Sequence, residues 1–149
     1  MKLHERVERF FFAPAAPTNL GFLRAGLFSA VAIFALQENV AGDAATARMN
    51  WRPTSYFRLL GGPASSGTLR AIQIALVASA VLVAIGLFTR PAQLVATPLA
   101  AYLLGFDSSF GKINHRSMLV VLLLFAVLPA PLGDGVSLDR LRAAARTAP

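Results

Sequence analysis

The sequence predicts an all-α, polytopic membrane protein: a four-transmembrane-helix bundle with short interfacial helices at both termini and in the first loop. Three observations carry this reading. Uncharged runs occupy 71–89, 91–106 and 117–133, which are 19, 16 and 17 residues long, and 20–36 is apolar except for Arg24. A helix rises about 1.5 Å per residue, so a ~30 Å hydrocarbon core takes roughly 17–25 residues. The composition agrees, with 56% hydrophobic residues, a mean hydropathy of +0.60 and 14% charged residues, against about 25% charged in a soluble domain. Between 74 and 88 every residue is apolar or small, whereas the helices of a soluble bundle show a polar stripe at 3.6-residue spacing. A chain of 149 residues has room for a single domain, 1–149, and one of that size cannot hide so much apolar surface by itself.

In chain order, 1–12 alternates charges with Leu3 and Val7 and ends in Phe10, Phe11 and Phe12, the pattern of a short helix on a membrane surface. Glu5 and Glu8, with Pro14 and Pro17 beyond them, do not fit a cleavable signal, in which a basic start leads at once into an apolar core. Thr18 and Asn19 suit the cap of a first span, about 19–37. The polar loop 38–68 mixes Trp51, Tyr56 and Phe57 with Arg48, Arg52 and Arg58, as interfacial or re-entrant segments do. Gly61-Gly62-Pro63 and Ser65-Ser66-Gly67 mark turns before a second span at 69–89. Phe88-Thr89-Arg90-Pro91 leaves only a tight connection to the third, 91–106, so these two are antiparallel neighbours. Pro98 should kink the third span, and Pro129 and Pro131 should end the fourth, 116–132. Ser137-Leu138-Asp139 opens a basic helix carrying Arg140, Arg142 and Arg146.

Small residues four apart, at Gly26/Ala30, Ala75/Ser79, Ala80/Ala84 and Ala96/Ala100, let helices approach closely. Four spans put both termini on one side, with Lys2, Arg6, Arg9, Arg90, Arg140, Arg142 and Arg146. Arg48, Arg52, Arg58, Arg70, Lys112 and Arg116 fall on the other. Seven against six gives a narrow preference for cytoplasmic termini. The net charge of +7 is scattered over loops on both sides and includes no nucleic-acid-binding motif. Contact with membrane lipids, through anionic headgroups, accounts for it better than nucleic acid does. Arginine outnumbers lysine twelve to two, a bias of GC-rich bacterial genomes, and the location expected is a bacterial inner membrane.

Absent chemistry narrows the function. The chain has no cysteine, so disulfides, iron–sulfur clusters and thiol nucleophiles are excluded. Its two histidines, His4 and His115, are expected on opposite sides, which disfavours bis-histidine haem and histidine metal sites; no metal is expected. HExxH, GxSxG, P-loop and GxGxxG motifs are missing. Two polar features remain. Arg24, within the first span, either snorkels or forms an intramembrane ion pair with Asp139 or Asp134 at the same end. The segment 107–116 gathers Asp107, Lys112 and His115 with two serines and Asn114. A histidine near neutral pH and a desolvated lysine are acid–base groups, although the same residues suit the capping of two helix ends.

The order of Arg24 with Leu27-Phe28, then Ile85-Gly86-Leu87-Phe88-Thr89-Arg90, Ile113-Asn114-His115 and Ser137-Leu138-Asp139 resembles the HTTM family, the membrane domain related to vitamin K-dependent gamma-carboxylase. Small bacterial proteins of this type are often labelled DoxX-like. The resemblance spans about 20–141 and implies a helical membrane bundle with a polar site near the loop before the fourth span. In the carboxylases the catalytic base is a lysine six residues before the Asn-His histidine. Here that position is Ser109, and Lys112 stands three residues before His115. The carboxylases also continue into further helices and a lumenal domain. Both departures count against carboxylation.

Two functions follow. One is a non-catalytic accessory or scaffold subunit of a larger membrane complex, such as a respiratory or photosynthetic one, with other membrane subunits as partners. The other is a membrane enzyme acting on a quinone or lipid through the loop around His115. No cofactor is predicted, and a bound lipid, quinone or pigment is compatible with either. A small transporter fits less well, since no span carries paired carboxylates or a broken glycine-rich helix.

Overall fold

A computed structural model describes residues 17–53, 55–60, 62–110, 115–133 and 137–147. The expected N-terminal surface helix, Lys112, Asn114 and Asp134 lie outside them. Every regular element among the described residues is helical: α1 (Pro17–Gln37), α2 (Val40–Asn50), a 3₁₀ turn (Ser55–Leu60), α3 (Ser66–Ile85), α4 (Thr89–Gly105), a second 3₁₀ turn (Phe106–Phe110), α5 (His115–Val127) and α6 (Leu138–Thr147).

The long helices follow the apolar runs, and their ends follow local chemistry. The Asn39 side chain accepts from the Gly42 amide (3.2 Å) to start α2, and Ser65 Oγ accepts from the Thr68 amide (3.1 Å) to start α3. Gly86, at φ 75°, ends α3: its own amide donates to Val83 (3.0 Å) and that of Leu87 to Leu82 (2.9 Å). These are the two bonds of a Schellman cap, which needs a left-handed residue. Phe88 is also left-handed, at φ 48°, a costly conformation for a residue with a side chain. α4 begins at the next residue, with Pro91 in its first turn, where a missing N–H costs nothing. The helix runs on through Pro98 without interruption. α5 stops at Val127, short of the expected 132, because Pro129 has no N–H to donate and disfavours helical backbone in the residue before it.

α4 is the central helix. It packs against α3, α5 and, less extensively, α1, while α3 also packs against α1. Ala92, Ala96, Ala100 and Ala101 of α4 are buried, as is Ala80 of α3, so small side chains let the backbones close in. α1 contributes Phe28, Val31 and Ala35, α3 contributes Leu69, Leu76 and Val83, and α5 contributes Val121, Leu124 and Val127, each set at helical spacing. The opposite faces are apolar too: Phe22, Ile33 and Leu36 on α1, Ile74 on α3, and Leu119, Leu122 and Phe125 on α5 are exposed. Two helices, at Thr18–Gln37 and Ser66–Ile85, are long and apolar enough to cross a bilayer core. α4 and α5 are shorter, with 17 and 13 residues.

Candidate functional sites at the two ends of the bundle

Alternating helix directions place polar groups at both ends. At the end reached by the C-termini of α1 and α4, three carboxylates meet: Glu38 just after α1, Asp43 on α2 and Asp107 on the second 3₁₀ turn. Their ligand oxygens all lie within 4.8 Å of one another. Three ionised carboxylates this close repel, so protons are retained. Burial first, and then the charges of Asp107 and Asp43, push Glu38 up to about 7 against the opposing pull of Arg116. Burial and Asp107 push Asp43 up to about 6. An all-oxygen set of this kind is also what a hard cation takes.

Arg116 leans on this group. Its guanidinium lies 4.0 Å from the centre of the Phe34 ring, and its Nη2 donates to Gln37 Oε1 (3.2 Å). Phe34, Gln37, Glu38, Asp107, Arg116 and Ser117 enclose a cavity of about 170 Å³. Of the three residues singled out in the 107–116 segment, Asp107 joins the carboxylates, His115 is an exposed residue opening α5, and Lys112 is outside the described residues. Glu38 and Asp43 were not anticipated. They are 69 and 64 residues from Asp107 in sequence, and only the fold unites them.

Beside this cluster lies an aromatic group. Phe57 and Phe106 are buried. Trp51 packs on both, with ring centres 6.2 and 5.3 Å away, and Tyr102 packs on Phe57 at 5.4 Å. The Tyr56 hydroxyl donates to the Ala101 carbonyl of α4. The Arg52 amide donates to the Ser109 carbonyl (2.9 Å), fastening the loop to the second 3₁₀ turn. Arg52 is exposed, and so is Arg58, whose Nε donates to the Pro53 carbonyl (3.3 Å). Of the aromatic residues expected at the interface, Phe57 is thus a core residue and Tyr56 is 40% exposed.

At the other end the buried Arg24 donates through Nη1 to the Leu132 carbonyl (2.9 Å). Asp139 sits at the same end, but its carboxylate closes the start of α4. It accepts from the Phe88 amide (3.0 Å), the Thr89 amide (3.0 Å) and Thr89 Oγ1 (3.1 Å). Burial alone would raise its pKa, yet these bonds and the charge of Arg142 outweigh it and hold the carboxyl below its usual range. The same three bonds stabilise the left-handed Phe88. The Asp139 amide donates in turn to the Gly86 carbonyl (2.9 Å).

Two buried amides act in the same manner. Gln73 Nε2 donates to the Ala35 carbonyl (2.6 Å) and the Glu38 carbonyl (3.2 Å) at the end of α1. Gln93 Nε2 donates to the Val127 carbonyl (3.0 Å) at the end of α5. Helix ends leave such groups unpaired within the helix. Neither glutamine stood out in the sequence beyond being a lone amide in an apolar run. No protein-family model matches the chain, and neither does any curated protein or solved structure.

Proposed function

We propose that the chain is a four-span integral protein of a bacterial inner membrane, with both termini cytoplasmic, acting as a non-catalytic accessory or scaffold subunit. Exposed apolar rows on α1, α3 and α5 support the membrane setting. Only 39% and 33% of the two most apolar windows are buried, where a soluble core helix would be mostly buried. α4 with its following 3₁₀ turn covers about 35 Å, at about 1.5 and 2 Å per residue. α5 covers about 20 Å, a shortfall that bilayer thinning and snorkelling accommodate.

The scaffold reading rests on how the buried polar side chains are used. Arg24, Gln73 and Gln93 reach backbone carbonyls of other segments, and the half-buried Asp139 reaches backbone amides of α4. These contacts join the bundle together and leave those groups engaged structurally. Purification from native membranes in mild detergent, with mass spectrometry of what accompanies the chain, tests the proposal. A larger membrane protein at fixed stoichiometry in two detergents is expected, and a lone chain or simple homo-oligomer would overturn it.

The carboxylate cluster favours a second reading, an enzyme acting on a quinone or lipid. Carboxyls that hold protons near neutral pH, beside an arginine and a cavity, could supply the two protons that a quinone takes up as an external electron donor passes it two electrons. Asp107→Asn combined with His115→Ala separates the two readings. An enzyme would lose turnover while staying assembled, whereas a scaffold would keep its partner or lose it without any turnover to measure.

A further inference from the structure

A polar hollow lies at the Arg24–Asp139 end. Thr89, Arg90, Gln93 and Asp139 and the segment 129–133 line a cavity of about 430 Å³, within the usual ligand-pocket range of about 300–1,000 Å³. Its lining carries one arginine, Arg90, and one carboxylate, Asp139, but the two are engaged differently. Asp139 is already committed to the amides of α4. Arg90 uses Nη1 on the Leu128 carbonyl and, at 3.4 Å, on Gln93 Oε1, and it is exposed at the mouth. Arg142 is exposed one turn further along α6, close enough to act on the charge of Asp139. Among the described residues of this end, Arg24, Arg90, Arg140 and Arg142 stand against the single carboxylate of Asp139.

We propose that this cavity seats the phosphate of an anionic phospholipid headgroup, held by Arg90 of its lining and attracted by the positive charge of Arg142, which lies outside the lining on α6. The inference rests on the membrane reading above. An arginine fork suits a phosphate diester, and basic pockets between spans on the cytoplasmic side are suited to such headgroups. Phosphate alone could satisfy the arginines. A lipid is favoured by exposed apolar residues close in sequence to the lining: Phe88 precedes Thr89, Leu94 and Val95 follow Gln93, and Leu138 and Leu141 flank Asp139 on α6, and they offer acyl chains a surface that free phosphate does not need.

The test is native mass spectrometry of the detergent-purified full chain, titrated separately with phosphatidylglycerol, phosphatidylethanolamine and inorganic phosphate. Phosphatidylglycerol should bind about tenfold more tightly than phosphatidylethanolamine, and inorganic phosphate should not compete at matched concentration. Arg90→Gln should weaken phosphatidylglycerol about tenfold, Arg142→Gln about threefold, and Arg58→Gln at the opposite end not at all. Arg142 is exposed, so its variant keeps the test decisive if loss of the Arg90 bond to Leu128 prevents folding. Equal affinity for the two lipids, or wild-type binding by Arg142→Gln, would overturn the proposal. Competition by inorganic phosphate would identify a soluble phosphate as the ligand and overturn the lipid assignment. Carbonate extraction of the membranes separates the two levels. Release of the chain overturns the membrane reading and this proposal with it, whereas a retained chain indifferent to headgroup overturns the proposal alone.

Discussion

Gly86→Ala tests the junction at the α3–α4 turn. Two penalties combine at this position. The backbone is left-handed at φ 75°, which costs a residue with a Cβ about 1–2 kcal/mol. An added Cβ would also stand 2.5 Å from Ser137 Cβ, 2.8 Å from Ser137 Cα and 2.8 Å from Arg24 Nη2. Arg24 is buried and the Ser137 backbone leads directly into the Asp139 contact, so neither yields freely, and overpacking of this kind costs about 1–3 kcal/mol. The sum, about 2–5 kcal/mol, corresponds to a fall in Tm of roughly 5–20 °C for a chain of this length. Gly26→Ala is the matched control. Gly26 lies on an exposed face of α1 with nothing within 4 Å of an added Cβ, so alanine should be neutral or stabilise by about 0.5–1 kcal/mol. Both can be followed in detergent by far-UV circular dichroism or by the fluorescence of Trp51, the only tryptophan. If Gly86→Ala melts within about 1 °C of the parent, or if the two alanines cost the same, the close approach of Ser137 and Arg24 to this turn is wrong.

Three further outcomes are expected. Glu38 at about 7 and Asp43 at about 6 hold protons in the folded chain that the unfolded chain has released above pH ~4.5. Stability should therefore fall as pH rises from about 4.5 to 7 and level off above it. With Glu38 only half buried, solvent screening reduces its share to about 1–2 kcal/mol, which Glu38→Gln should restore at pH 8 in a denaturant titration while flattening the profile. Asp139→Asn should lose about 1–2 kcal/mol at neutral pH, through the weakened N-terminal contact of α4. Because the folded pKa of Asp139 is lowered, the difference between parent and variant is full above the ordinary carboxylate range and disappears as pH falls through the folded value; a difference independent of pH would refute this origin. Gln93→Leu leaves the Val127 carbonyl without the side-chain amide and should cost about 1–3 kcal/mol, read as faster hydrogen exchange at the end of α5 than in α1.

The helical class and the rough positions of the long helices were legible because apolar runs are local signals; Thr18 and Asn19, expected to cap the first span, instead lie inside α1, which starts at Pro17, and α3 starts at Ser66, ahead of the expected 69. Phe88-Thr89-Arg90-Pro91 marked the α3–α4 turn for the same reason, although the second span was expected to run to 89 and α3 ends at Ile85, capped by Gly86. The length of α5 was read from hydropathy, which continues to 133, while the backbone obeyed Pro129. The polar loop after the first span proved to hold a helix of 11 residues with Ala44 and Ala47 buried beneath it, a burial that its weak periodicity did not announce. Asp107 was noticed for its neighbours in sequence, yet its partners in space come from α2 and the end of α1. Arg24 and Asp139 were expected at one end. Which carbonyl and which amides they reach depends on the approach of segments up to 108 residues apart, which no local pattern encodes.

The contact between Asp139 and the start of α4 also sets an order in time. The acceptor lies 50 residues downstream of the Thr89 amide it receives. At a synthesis rate of about 5–20 residues per second, roughly 3–10 s pass before the ribosome adds the residue that closes this turn. During that interval the Phe88 conformation lacks the three bonds that stabilise it, and the α3–α4 hairpin is held by its Schellman cap and by helix packing alone. The hairpin's loop is therefore the last seam of the bundle to lock, and the C-terminal helix is what locks it.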